Sequence, residues 1–175
     1  TYLYDQNACS SPRMMIWMGE KEIIEKAKAV FWNAIHDYIK NRYKIETVVA
    51  VDKLMTELNC AVDFENAHIE KMNDNLINRI RIESLEKNIP EYRCVGGCFL
   101  EYDTNNLDDL SKIVTEKYQT LSYLGCNPHE IQEWVISSGL KGIDRIVPIG
   151  KTADFGLVWD GYDLITTLSR ICYFE

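Results

Sequence analysis

The 175-residue sequence lacks long apolar runs and an excess of positive charge. No stretch approaches the roughly 20 apolar residues that cross a bilayer, and the first residues lack the charged and apolar regions of an export signal. Lys and Arg number 19 against 27 Asp and Glu, which gives a net charge of −8. A chain of this charge without a basic stripe is not expected to bind nucleic acid. We therefore predict no membrane span, no nucleic-acid partner and a cytoplasmic location.

The sequence also lacks the glycine patterns that bind phosphates. Gly150-Lys151-Thr152 ends like a phosphate loop, but Arg145 occupies the earlier position at which that loop requires glycine. No Gly-x-Gly-x-x-Gly follows any predicted strand, so the dinucleotide-binding fingerprint is absent. A nicotinamide cofactor would therefore bind mostly outside these residues.

Cysteine is present without the dense spacing of a secreted disulfide scaffold, so we expect reduced thiols. The six residues are Cys9, Cys60, Cys94, Cys98, Cys126 and Cys172. The Cys94–Cys98 pair, with Cys126 and His129 farther along the chain, does not form the two tight knuckles of a zinc site. No metal site is predicted.

Strand and helix patterns alternate along the chain. Apolar runs and alternating patterns predict strands at 14–18, 76–83, 97–102, 119–124 and 144–149. Three- and four-residue periodicity and capping signals predict helices at 21–41, across 48–58, at 106–117, at 128–139 and from 161 to about 170. The length and the 46% of hydrophobic residues suit one domain. We therefore predict a single α/β domain over residues 1–175, with a parallel or mixed sheet covered on both faces.

The periodicity also predicts which helix residues face the core. In the first helix, one apolar stripe runs from Ile23 to Ile39. In the second, the residues predicted to point inward are Val48, Val49, Val51, Leu54, Met55 and Leu58.

Cys9 lies in a small, polar, turn-prone stretch, Gln6-Asn-Ala-Cys-Ser-Ser-Pro12, where no packing reason demands cysteine. A thiolate is both a nucleophile and a leaving group for acyl transfer. Cys9 is therefore a candidate catalytic nucleophile. The alternative interpretation is an ordinary reduced surface thiol.

Four segments form a recognisable set. They are Gln6-Asn-Ala-Cys-Ser-Ser-Pro12, Gln119-Thr-Leu-Ser122, Asp144-Arg-Ile-Val-Pro-Ile-Gly150 and Trp159-Asp-Gly-Tyr-Asp-Leu-Ile165 followed by Leu168-Ser-Arg170. In this order they resemble the acyl-CoA reductase family of bacterial bioluminescence, which supplies fatty aldehyde and belongs to the aldehyde dehydrogenase superfamily. The resemblance implies the three-layer α/β/α catalytic domain of the aldehyde dehydrogenase-like fold. It also implies that the Rossmann-like cofactor domain, the general-base glutamate and an oxyanion-holding asparagine lie upstream of this sequence.

The resemblance implies that Cys9 takes a long-chain acyl group as a thioester, from coenzyme A or from an acyl-transferase or acyl-protein synthetase partner. NADPH then reduces the thioester to aldehyde. The Cys9 N–H would hold the oxyanion, a contact worth roughly 3 kcal/mol, and Asn7, Ser10 and Ser11 would assist or shape the loop. The chain begins on Thr1 rather than methionine, so we expect a piece of a longer protein, and this piece alone should fold but turn over nothing. We also expect the full-length protein to be a homo-oligomer.

One segment departs from ordinary aldehyde dehydrogenases, which carry a ribose-holding glutamate in Glu-Glu-Ile-Phe-Gly-Pro-Val. The corresponding Tyr92-Arg-Cys-Val-Gly-Gly-Cys-Phe99 has no glutamate there, which argues against aldehyde oxidation. Aldehyde oxidation and a non-catalytic binding or scaffold domain remain the alternatives. Arg93 is a candidate to contact the cofactor phosphates. The alternative is that its side chain is only solvated.

By the same resemblance, the segment after the last strand lies near the substrate. Gly150, Phe155 and Trp159 are the predicted substrate-binding residues, with the two aromatic rings lining an acyl tunnel. Core packing explains those rings equally well. Arg145 and Asp160 are alternatively expected to tie the segment to a neighbouring subunit or another domain.

Overall fold

The computed structural model describes residues 1–86 and 89–175 as an α/β protein. The chain divides into two compact units, Thr1–Ile113 and Val114–Glu175. The α/β prediction is confirmed, whereas the single catalytic domain over residues 1–175 stays a prediction.

The first unit contains one mixed four-stranded sheet and two long helices. Its elements are β1 (Met14–Met18), α1 (Lys21–Ile39), α2 (Thr47–Asp63), β2 (His68–Lys71), β3 (Asn78–Arg81) and β4 (Cys98–Thr104). The strand order is β1-β4-β3-β2, with β4 parallel to both β1 and β3 and β2 antiparallel to β3. The sequence pattern did not predict β2.

The two long helices cover opposite faces of this sheet. Successive residues of a strand point to opposite faces, so Phe99 and Leu100 of β4 mark the two sides. Trp32 of α1 contacts Phe99 with ring centroids 4.9 Å apart, whereas Cys60 of α2 belongs to the buried cluster around Leu100. This unit is therefore layered as helix, sheet and helix.

The predicted inward face of α2 is wrong. Of the six apolar residues assigned to the core, only Val49 is buried, and the other five are about half exposed or more. The buried face instead carries Lys53, Thr56, Glu57 and Cys60, among others. Polar side chains can occupy a buried face when each finds a partner, and the backbone carbonyls beneath α2 supply partners for the lysine and the threonine. The stripe predicted for α1 is confirmed as buried only at Ile24 and Ile39. It is wrong at five positions, where the residues are exposed: Ile23, Ala27, Val30, Ala34 and Tyr38.

The segment predicted as a helix over 106–117 is shorter and tighter. A 3₁₀ helix spans Leu107–Lys112, and the Asn106 side chain accepts a hydrogen bond from the Asp108 N–H, as the capping signal predicted. Other 3₁₀ turns span Tyr2–Tyr4 and Ile89–Glu91.

The second unit begins with a strand–helix–strand arrangement. Its elements are β5 (Thr120–Tyr123), α3 (Pro128–Ser137), β6 (Arg145–Pro148), β7 (Val158–Trp159), β8 (Tyr162–Asp163) and α4 (Leu164–Leu168). β5 and β6 are parallel. The predicted start and end of α3 are confirmed, because Asn127 Oδ1 accepts from the His129 N–H and Gly139 closes the helix with φ +60°.

The predicted helix from residue 161 to about 170 is wrong in its first turn. Trp159 pairs with Tyr162 in a two-stranded hairpin, and the turn residues Asp160 and Gly161 both have positive φ. An Asp-Gly pair between two strands is typical of such a turn, because both of its central residues need positive φ. Only Leu164–Leu168 is helical. Within the described residues, none of the helices has the length and apolar character needed to cross a bilayer.

Candidate functional site

Cys9 lies exposed on a tight turn in the loop that leads into β1. The Ser11 N–H donates to Ala8 O at 3.0 Å and closes the turn around the thiol. Ser10 and Ser11 are half-buried parts of the same turn. Within residues 1–86 and 89–175, the Cys9 N–H pairs with no acceptor. The turn therefore presents a thiol and a backbone donor together.

Gln6 fastens this loop to the start of β4. Its side chain is 1% exposed. The Nε2 group donates to Pro12 O at 2.7 Å and to Cys98 O at 2.8 Å, while Oε1 accepts from the Gly97 N–H at 2.9 Å. One carboxamide thus bridges the two ends of the cysteine loop and attaches both to the sheet.

The backbone of the Gly96-Gly97 turn makes this approach possible. Both glycines have positive φ, +59° and +83°. A Cβ on Gly97 would overlap Leu76 O and lie 2.6 Å from Tyr2 Oη, so no side chain fits there. The Gly96 N–H donates to Asp5 O at 2.9 Å, which adds a backbone contact beside that of Gln6.

Asn7 contacts an arginine from the segment before β4. Asn7 Oδ1 accepts from Arg93 Nη2 at 2.6 Å, on the protein surface. The Asn7 Nδ2 group lies 3.5 Å from Asp5 O. Arg93 therefore places a guanidinium against the loop that carries Cys9, two residues from the thiol.

A buried lysine supports the glycine turn from below. Lys53 Nζ donates to Gly96 O at 3.0 Å and to Asn75 O at 2.7 Å, and its side chain is fully buried. Burial lowers the pKa of the Lys53 ammonium to about 8. The carboxylates of Glu57 and Asp74 oppose this shift only in part.

The lowered pKa predicts a pH-dependent contribution of Lys53 to stability. The unfolded chain keeps the proton to about pH 10.4, whereas the folded chain releases it near pH 8, so unfolding takes up a proton between these values. The free energy of unfolding should therefore rise with pH, by about 1–2 kcal/mol between pH 7.5 and 9.5 relative to Lys53→Met. Urea unfolding at the two pH values checks this. The exposed Lys26→Met is the control, and an equal change for both variants would contradict the assignment.

The three buried cysteines differ from Cys9. Burial raises the pKa of the Cys60 thiol to about 12. The side-chain hydrogen bond with Cys94 raises the pKa of the Cys98 thiol, and burial adds to this effect. The Cys60 and Cys98 thiols therefore stay protonated at neutral pH. All three buried cysteines are out of contact with solvent, so they are not nucleophile candidates.

The predicted substrate-binding residues lie in the second unit. Gly150 occupies a turn with φ +90°, and Phe155 and Trp159 stack with centroids 5.1 Å apart. Phe155 is 71% exposed, so its ring is not part of a buried core. Arg145 lies 4.1 Å above the Trp159 ring and donates to Thr152 O and Asp154 O, both at 3.1 Å. The guanidinium of Arg145 therefore makes these bonds within its own segment.

A pocket of about 430 Å³ lies elsewhere on the first unit. Its lining residues are Ala50, Leu54, Glu57, Lys71, Met72, Asn73, Asn75 and Asn78. None of the residues predicted for the site lines it. Its walls are of mixed polarity: Ala50, Leu54 and Met72 are apolar, and Lys71 is paired to the buried Glu57.

Taken together, the fold and the loop define an α/β protein that holds an exposed cysteine on a fastened turn at the amino ends of two parallel strands. The model of a known family, described as acyl-CoA reductase (LuxC), matches residues 1–171. The chain therefore belongs to the acyl-CoA reductase (LuxC) family, as the motifs predicted. A search among curated proteins gave no match. Membership in this family implies acyl-CoA reductase activity in general terms.

The sequence singles out Cys9 as a candidate nucleophile in a turn, and the structure confirms the turn. The side chains that hold the turn in place were not predicted. Gln6 was part of the recognised motif without a role, and Arg93 was not expected to contact Asn7. The signal that could have found the support is the Gly96-Gly97 pair directly before a buried strand. Two such glycines indicate close approach of another chain segment.

Proposed function

We propose that this protein reduces a long-chain acyl thioester to fatty aldehyde through a covalent thioester on Cys9. Membership in the acyl-CoA reductase family carries the proposal. The exposed thiol on a turn fastened by Gln6 supports it, because a nucleophile must be both reachable and held in place.

In the first step, the Cys9 thiolate attacks the acyl carbonyl carbon. The tetrahedral intermediate expels the coenzyme A thiolate, which takes a proton, and leaves the acyl group on Cys9. The Cys9 N–H, on the same turn, is the donor we propose for the oxyanion, a contact worth roughly 3 kcal/mol. Asn7 acts on the shape of the loop, since its carbonyl oxygen already accepts from Arg93.

In the second step, a hydride adds to the carbonyl carbon of the thioester. The carbonyl oxygen becomes an oxyanion, and the carbon stays bonded to sulfur. That oxyanion collapses by breaking the carbon–sulfur bond, which releases the aldehyde and restores the Cys9 thiolate. The reaction needs a hydride donor, for which we propose NADPH.

The described residues do not form a nicotinamide nucleotide site by themselves. The Gly96-Gly97 turn leads into a strand, and its Gly97 N–H already donates to Gln6, so it does not cradle a phosphate. We propose that most of that site lies outside residues 1–175. Arg93 is exposed beside the Cys9 loop and suits an added phosphate contact there.

We propose that the segment from Gly150 to Trp159 binds the acyl chain. The exposed Phe155 ring supports this, because it offers apolar surface that the second unit does not bury. We further propose acyl-CoA or an acyl-transferase or synthetase partner as the donor. A homo-oligomeric state and a cytoplasmic location complete the proposal.

The proposal is tested by comparing the two directions of the reaction in the full-length protein. Tetradecanoyl-CoA with NADPH should yield tetradecanal, measured by gas chromatography. Tetradecanal with NADP⁺ and water should yield little free acid, because the segment before β4 lacks the glutamate of the oxidative enzymes. Acid formation faster than aldehyde formation would favour the aldehyde dehydrogenase alternative, and neither reaction would favour a binding domain.

A further inference from the structure

We infer that Gln6 is a positioning residue, whose carboxamide holds the Cys9 loop in the shape that acyl transfer requires. The inference deepens the proposed function, because it rests on Cys9 as the acyl acceptor. Gln6 does not touch the reacting atoms; it acts through the loop.

The first argument is the number and direction of its hydrogen bonds. Both Nε2 hydrogens are used, one on Pro12 O after the thiol and one on Cys98 O in β4. Oε1 accepts from the Gly97 N–H. A carboxamide offers two donors and one acceptor in one plane, and no other side chain of this size supplies that set. The Gln6 side chain therefore connects the chain before Cys9, the chain after Cys9 and the sheet.

The second argument is the backbone at the same place. Asp5 and Gln6 have φ of 50° and 65°, a left-handed conformation that residues other than glycine rarely adopt. Such a conformation persists only where its surroundings over-determine it, and it is found preferentially at functional sites. Here the surroundings are the Gly96 N–H on Asp5 O, the Tyr43 hydroxyl on Asp5 Oδ1 at 2.6 Å, and the buried carboxamide itself.

The third argument is that β1 does not fix the loop by itself. Paired strand residues begin at Met14, five positions after Cys9, and the Leu100 N–H donates to Arg13 O just before them. Within the part of the chain that the structure describes, three hydrogen bonds join side chains of residues 6–13 to distant parts of the unit. Gln6 makes two of them, and Asn7 makes the third with Arg93. The hydrogen bond between Arg93 and Asn7 lies on the surface, where water competes for both partners. The hydrogen bonds of Gln6 to Cys98 O and from the Gly97 N–H are buried, so water does not compete for them.

Two substitutions separate positioning from packing. Gln6→Met keeps the side-chain volume and removes all three hydrogen bonds. Gln6→Asn keeps the amide and a residue type that tolerates positive φ, but its side chain is one methylene too short to reach three partners. Gln132→Met, on the exposed face of α3, is the matched control.

The experiment measures the single-turnover rate of Cys9 acylation by tetradecanoyl-CoA in the full-length protein, alongside iodoacetamide alkylation of Cys9 relative to Cys126. Acyl transfer needs an aligned thiolate and carbonyl, so we expect acylation to fall by about tenfold to a hundredfold in both Gln6 variants. Alkylation by a small reagent needs no such alignment and should change by less than about threefold. Protection of Cys60 from alkylation reports that each variant is folded.

Several results would overturn the inference. If a folded Gln6→Asn variant is acylated at the wild-type rate, the three hydrogen bonds that the longer side chain makes are not needed for acyl transfer. A lower melting temperature with unchanged acylation would assign Gln6 a purely structural role. If Gln6→Met does not fold, Gln6→Asn decides the question. If the wild-type protein itself is not acylated, the proposed function is contradicted. A loss of acylation that appears only in the Gln6 variants concerns the role of Gln6 alone.

Discussion

Replacing Cys9 by serine is expected to lower aldehyde formation by at least about a thousandfold. A hydroxyl is far less acidic than a thiol, and an oxygen ester would hold the acyl group more tightly than a thioester in the reductive step. The exposed position of Cys9 means that the substitution leaves the fold unaffected. Steady-state tetradecanal production from tetradecanoyl-CoA and NADPH, measured in the full-length protein, checks this.

The control is Cys126→Ser, because Cys126 is also an exposed thiol. It lies in the second unit, in the turn before α3, and has no role in the proposed reaction. Its variant should keep full activity. Equal losses in both variants would indicate nonspecific damage, and retained activity in Cys9→Ser would remove the covalent mechanism.

Gly97→Ala is expected to lower the free energy of unfolding by about 3 kcal/mol or more. Two physical effects add. The left-handed φ of +83° is unfavourable for alanine, and the new Cβ would overlap the backbone oxygen of Leu76, which cannot rotate away. A shift in the Gly97 backbone would also withdraw the N–H that Gln6 accepts. Urea unfolding followed by circular dichroism measures the loss.

Gly125→Ala separates the two effects. Gly125 has a comparable φ of +74°, but no atom lies within 4 Å of its added Cβ. This variant should therefore show only the conformational cost, about 1–2 kcal/mol. If Gly97→Ala were no more destabilising than Gly125→Ala, the close approach of Leu76 and Tyr2 to the glycine turn would be wrong.

The sequence was sufficient to predict most strands and their order along the chain. Met14–Met18 is confirmed residue for residue, and the other four predicted strands are each found within three residues of their predicted bounds. Short apolar or alternating runs bounded by glycine or turn residues are strong local signals, and they depend little on the rest of the fold. The helix cap at Asn127 was also predictable, because helix capping depends on residues that are adjacent in the sequence.

The face of α2 could not be predicted because its buried residues depend on distant partners. Lys53 is buried only because the carbonyls of Asn75 and Gly96 lie beneath it, and neither is visible from the helix sequence. A periodicity argument assigns the apolar stripe inward by default. In α2 that stripe, which includes Val51 and Met55, faces outward.

The difference between local and distant contacts also explains which parts of the candidate site could be predicted. Cys9 was predicted because an unexplained cysteine in a polar turn is a local signal, and its turn is confirmed. Gln6 was missed because its partners are Gly97 and Cys98, more than 90 residues away. A buried glutamine among polar neighbours has the same sequence appearance as an exposed one. Only the folded backbone shows that its carboxamide is fully used.

The most direct test of the proposed function locates the acyl group. The full-length protein is incubated with labelled tetradecanoyl-CoA, digested, and analysed by peptide mass spectrometry before and after NADPH is added. The proposed mechanism predicts a tetradecanoyl adduct on the Cys9 peptide that disappears with NADPH as labelled tetradecanal. An adduct on another residue, or aldehyde formed with no adduct on Cys9, would contradict it.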